Sequence, residues 1–137
     1  MVLPLVLALI LVAAPVAALE PVTHTFPTPI DRVWTVTDRV LKQLGWDIDK
    51  ADRTIGWITT DSRRLEGQGE DYGVYAKGVR HRLTITMKAA GESRTSMTVE
   101  RAVFKRERIL WMDKDEPLTP QDQKVERDLI AAIERAL

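Results

Sequence analysis

The chain contains no cysteine. No disulfide can brace it, no thiolate can act as nucleophile or metal ligand, and no cysteine offers a lipid-attachment site, so the fold must rest on its apolar core. Histidine is nearly as scarce. His24 and His81 are the only two. They are far apart and lack the close spacing a zinc site uses, so no metal and no cofactor is expected. An excess of one charge is also missing: Lys plus Arg number 20 and Asp plus Glu number 20. With zero formal net charge, no global field draws the chain to nucleic acid or to an anionic membrane. Ser62, Ser93 and Ser96 lie in no G-x-S-x-G elbow, and no G-K-[ST] follows Gly67, Gly69, Gly73 or Gly78. There are no internal repeats. A non-enzymatic protein is the expectation.

What is present begins at the N-terminus. Met1 to Leu19 carry no charged side chain, and Val2 to Val12 are apolar, interrupted by Pro4. The run closes in Ala13-Ala14-Pro15-Val16-Ala17-Ala18. That is the form of a secretory signal, with Val16 and Ala18 at the −3 and −1 positions of a cleavage site. Residues 1–18 are therefore read as a signal peptide and 19–137 as a single exported domain, periplasmic or otherwise outside the cytoplasm. The alternative is an uncleaved membrane anchor, since the run reaches the lower edge of a spanning length. Pro4 and Pro15 weigh against it.

Thr23 to Phe26 alternates as a short strand. Thr28-Pro29 then has the cap-plus-proline form of a helix start, and Asp31 suits the positive end of the helix dipole. Ile30, Val33, Trp34, Thr37, Val40, Leu41 and Leu44 form one helical stripe, and Gly45 ends it. Trp46 to Lys50 and Thr54 to Ser62 read as strands joined by a turn at Ala51-Asp52-Arg53. Residues 63–78 read as a long, mobile loop. In Val79 to Lys88, His81, Leu83, Ile85 and Met87 share a face. After a turn at Ala89-Ala90-Gly91-Glu92, Thr95, Met97, Val99, Arg101 and Val103 share a face of the answering strand. Residues 105–116 are ambiguous, but apolar Ile109-Leu110-Trp111-Met112 should be covered by something. Thr119-Pro120 repeats the helix-start signal, followed by Val125, Leu129, Ala132, Ile133 and Ala136 on one stripe. The expected fold is α+β, in the order β-α-β-β-β-β-α. An antiparallel sheet of four to five strands would carry both helices on one face.

The order and its local words resemble the helix-grip domain of BamC-type outer-membrane assembly lipoproteins. The words are Phe26-Pro27-Thr28-Pro29-Ile30-Asp31-Arg32-Val33-Trp34, then Leu41 to Leu44-Gly45-Trp46, then Asp52-Arg53 to Gly56-Trp57-Ile58. The match is best over 26–60 and looser to 104. The resemblance implies a helix-grip fold and a cell-envelope protein that binds an envelope protein or the membrane surface. The chain differs from that family in having one copy of the domain and no lipidation cysteine.

Arg63, Arg64, Lys77, Arg80 and Arg82, with Tyr72 and Tyr75, form the candidate partner-binding patch, suited to anionic headgroups, glycans or an acidic partner. Glu66, Glu70 and Asp71 lie among them. Asp61 with Glu66 is a conceivable acid–base pair for a hydrolase, against the simpler reading of a solvated loop. His81, on an apolar face, reads as structural. Trp34 reads as core, and Trp46 and Trp57 as a pair across neighbouring strands. An apolar cavity between helix and sheet would make the protein a carrier of a lipid or small apolar ligand, the alternative to a binding module.

Overall fold

A computed structural model describes residues 19–65 and 78–137. The expected signal, residues 1–18, lies outside the described residues, as does most of the expected loop. Strand β1 spans Val22–Phe26 and leads into helix α1, Ile30–Gln43. Pro29 precedes the first helical residue and Thr28 makes no side-chain cap. The Thr28 carbonyl instead accepts a 2.8 Å hydrogen bond from the Thr95 hydroxyl. The helix closes as expected at Gly45, φ 83°. The Trp46 N–H reaches the Leu41 carbonyl (2.9 Å) and the Gly45 N–H reaches that of Lys42 (3.1 Å), the paired bonds of a Schellman end.

Strands β2 (Ile48–Asp52) and β3 (Trp57–Thr60) form a hairpin. Its turn falls at 53–56, later than the sequence suggests, because the Asp52 carboxylate accepts the Thr54 N–H at 3.0 Å and so starts the turn after the strand. The two-residue strand β4 is Arg63–Arg64. Strand β5 (Gly78–Ala89) pairs along its whole length with the 15-residue strand β6 (Thr95–Ile109). Strand β7 (Met112–Leu118) folds back on the second half of β6, and helix α2 occupies Lys124–Ala136.

The sheet is antiparallel, in the order β1-β6-β5-β3-β2. β1 and β7 share one edge of β6 in succession: β1 covers Thr95–Val99, and β7 covers Val103–Ile109. β4 likewise follows β3 along the far edge of β5. The fold is α+β, as read from the sequence, but with seven strands in the sheet among the described residues. The extra strands escaped the pattern for physical reasons. β4 has two residues, and every residue of β7 is exposed, so no alternation marks it. Pro117 sits in β7 without penalty because an edge strand leaves one side free of ladder bonds.

One face of the sheet carries the core. Phe26, Ile58, Leu83, Ile85, Met87, Met97 and Val99 meet Val33, Val36, Val40 and Leu41 of α1 and Leu129, Ile130 and Ile133 of α2. Eleven of these residues are at most 1 % exposed. Burying a side chain of this size contributes about 1.5–3 kcal/mol. The faces assigned to 81–87 and 95–103 hold. On the helical stripes, Val36, Glu126 and Ile130 are buried, while Leu44 and Ala136 are exposed. Helix α2 starts at Lys124, not at Pro120. Residues 119–123 are used in crossing from β7 to the helix layer, and the Asp122 carboxylate accepts the Lys124 N–H at 3.1 Å.

Candidate functional site

Three places in this frame bring polar or exposed groups together. The first is inside. Register pairs Arg63 with His81, and His81 is 4 % exposed on the inner face. Trp46 lies against the imidazole at 4.9 Å between ring centroids, and the Arg63 guanidinium stacks on the Trp46 ring at 3.6 Å. Arg63 also donates to the Leu44 carbonyl at 2.8 Å, which ties β4 to the end of α1. Arg63 Nε and Arg101 Nη1 each stand 3.5 Å from a ring nitrogen of His81, the long limit of a hydrogen bond. A neutral imidazole can accept at only one of them. Burial first, then the positive charges of Arg63, Arg101 and Arg80, push the His81 pKa down to about 4. Arg101 is itself buried and bonds Glu126 Oε1 through Nε at 2.8 Å and the Asp122 carbonyl through Nη2 at 3.0 Å. This cluster fastens α2 and β4 to the sheet. Trp46 therefore packs on His81 and Arg63 rather than pairing with Trp57, whose strand partners are Asp52 and Thr86.

The second place is the outer face. Of the patch read from the sequence, the described residues Arg63, Arg64, Arg80 and Arg82 divide between the two faces of the sheet. Adjacent residues of a strand point to opposite faces, so Arg63 goes inward with His81 while Arg64 goes outward with Arg80 and Arg82. Tyr72, Tyr75 and Lys77 lie outside the described residues. Arg80 donates to the Ser62 hydroxyl (3.0 Å) and carbonyl (2.8 Å). Arg82 and Arg106 each stand 5.4 Å from the centre of the Phe104 ring, which they help to cover. Arg106 forms a two-pronged pair with Asp115 at 2.8 and 3.1 Å. That hydrogen bond lowers the Asp115 pKa and raises that of Arg106. Asp49, Asp61 and Ser62 face these arginines across a polar hollow of about 330 Å³. Asp61 thus lies beside guanidinium groups, and Glu66, Glu70 and Asp71 lie outside the described residues. Phe104, Arg106 and Asp115 were not legible as part of a site, because only the register of β7 on β6 brings them to Arg82.

The third place is the far end of the β6–β7 ribbon. Ile109-Leu110-Trp111-Met112 is not covered. The four side chains are 51, 80, 77 and 65 % exposed. Leu110 and Trp111 form the two-residue turn, with Ile109 paired to Met112 and Leu110 at φ 58°.

Between the start of α2 and strands β5 and β6 lies a cleft of about 560 Å³. Leu65, Val79, Val103, Leu118 and Val125 supply its apolar lining, and Arg101, Asp122 and Lys124 its charges. Among the described residues no group of three or more Asp, Glu or His is placed to hold a metal ion, and no helix is long and apolar enough to cross a membrane. No family model and no curated protein matches the chain.

Proposed function

We propose that the chain is an exported, non-enzymatic binding module of the cell envelope, resembling a BamC-type assembly domain in kind. The observation that carries this reading is the β6–β7 ribbon. It holds four large apolar side chains in solvent at its tip, where they add nothing to the core. Contiguous exposed apolar surface of this sort marks an interaction site. Two of the arginines in the polar clusters, by contrast, are engaged in structural pairs: Arg101 with Glu126, Arg106 with Asp115. The test is a photo-activated cross-linker placed at position 111 in cells, compared with one at Glu92 at the other end of the sheet. A defined cross-linked species from position 111 alone is expected. Recovery of the uncross-linked chain only, under several conditions, would sink the reading.

A second reading, a carrier of a small apolar ligand, is favoured by the cleft at the start of α2. Its volume of about 560 Å³ falls in the range of small-molecule sites. Native mass spectrometry of gently purified protein checks it. A bare chain mass in every preparation, with added lipid leaving that mass unchanged, removes it.

A further inference from the structure

Resting on the binding-module reading, we infer that the partner of the ribbon tip is a phospholipid bilayer, into whose interface Ile109, Leu110, Trp111 and Met112 insert as a wedge. The first reason is shape. Side chains alternate between the two faces of a β-ribbon. A ribbon that docks on a protein needs apolar groups on the face it presents, and polar groups suit the other. Here Ile109 and Met112 form a cross-strand pair, Leu110 and Trp111 close the end, and all four are exposed. The last four residues of the ribbon carry no charged side chain, so its end, and not one face alone, is apolar, which suits insertion into a medium that surrounds it.

The second reason is reach. The last described pair between β5 and β6 is Gly78 with Arg106, and Ile109 lies three residues farther along β6. At about 3.4 Å per residue the tip is roughly 10 Å beyond Arg106, and interfacial segments bury their apolar groups to a depth of about 5–10 Å. The indole of Trp111 suits the headgroup level.

The third reason is the charge behind the tip. Lys105, Arg106, Arg108 and Lys114 alternate with Glu107, Asp113, Asp115 and Glu116, four cations and four anions. Register sets Arg106 against Asp115, Arg108 against Asp113 and Glu107 against Lys114. This balanced belt can lie among zwitterionic headgroups without a net field. Insertion should therefore depend on apolar contact and hardly on anionic lipid or salt.

The experiment uses the full chain with phosphatidylcholine vesicles whose acyl chains carry bromine near the headgroup, a contact quencher of tryptophan. Residues 1–18 contain no Trp, so quenching of Trp111 reports the tip even if the N-terminal run tethers the chain. Emission of the wild type should shift to the blue and be quenched by roughly a third or more. Trp111→Phe should lose that component, and Leu110→Ser with Met112→Ser should reduce it several-fold. Glu92→Trp in the Trp111→Phe background should stay unquenched. Quenching should change less than twofold between phosphatidylcholine and mixed phosphatidylglycerol vesicles. If Trp111 remains as accessible to iodide with vesicles as without, the inference is overturned. If it is then also cross-linked to a protein in cells, the binding-module reading survives; if it is cross-linked to nothing, both fall.

Discussion

Strand β6 has a turn at each end, and the two are opposites. Residues 90–94 join it to β5 with Ala-Gly-Glu-Ser-Arg, a polar connection in which Gly91 takes φ 105° and the Ala90 N–H bonds the Arg94 carbonyl at 2.9 Å. The strand leaves this turn into the core, with Thr95 and Met97 fully buried beside Phe26. At its other end β6 is covered by no helix among the described residues and closes on Leu110-Trp111, with a branched apolar residue at positive φ. One turn has the residues that turn geometry asks for. The other holds Leu in a conformation that costs about 1–2 kcal/mol for a residue with a Cβ, and exposes four apolar groups besides. Folding accounts for the first turn. The second is the kind of local conflict that marks a functional site.

The comparison breaks most sharply in stability. Phe26→Ala, at the buried end, should cost about 4 kcal/mol, since a fully enclosed ring leaves a cavity that its neighbours cannot close. Trp111→Ala at the exposed end should change stability by less than about 0.5 kcal/mol. Urea denaturation of the two variants checks the contrast. Equal losses would mean that the tip is part of the core.

The midpoint of β6 is the next test. Glu126→Ala leaves the Arg101 guanidinium buried without its carboxylate and should cost at least about 3 kcal/mol. Asp115→Ala, which removes the partner of the half-exposed Arg106, should cost about 1 kcal/mol or less. The two ion pairs stand on the same strand, and the difference between them measures where burial stops.

The core half of this comparison was legible in the sequence, and the tip half was not. Period-two alternation in 81–87 and 95–103 fixes faces because a one-residue slip would expose the whole set. The α1 stripe is equally plain. Arg101 on an inward face was a signal that a buried carboxylate must meet it. Glu126, in helical step with Leu129, Ile130 and Ile133, was the one to find. By contrast, the division of Arg63 from Arg64, the contact of Trp46 with His81 and the gathering of Phe104, Arg106 and Asp115 depend on pairings between distant strands, which residue types do not encode. Residues 109–112 were read as covered because apolar residues in a ribbon usually are. No local rule announces that nothing packs on them.

Acid should act on the buried end and spare the tip. The His81 pKa falls from 6.5 to about 4 in the fold. Above pH 6.5 the imidazole is neutral in both states. As pH drops, the unfolded chain takes the proton first, so stability is lost between pH 6.5 and about 4 and levels off below. At about 1.4 kcal/mol per unit the total is on the order of 3 kcal/mol. His81→Gln should flatten this part of the stability–pH curve, measured by urea midpoints from pH 7 to 4. An unchanged slope would show that carboxylates alone govern it.

The smallest effect addresses the two turns directly. Leu110→Gly should raise stability by up to about 1 kcal/mol, because glycine takes φ 58° without a Cβ clash and part of that gain is offset by its freer unfolded chain. Gly91→Leu should do the reverse and cost about 1–2 kcal/mol. A Cβ at 91 meets no atom within 4 Å, so backbone strain is the only term. Urea midpoints at constant m-value read both changes. Leu110→Gly should at the same time weaken quenching of Trp111 by bromolipid, since the wedge loses one of its four apolar groups. A variant that is more stable and binds less is the signature of strain kept for binding. If Leu110→Gly is instead less stable than the wild type, Leu110 makes contacts that support the fold, and the contrast between the two turns disappears.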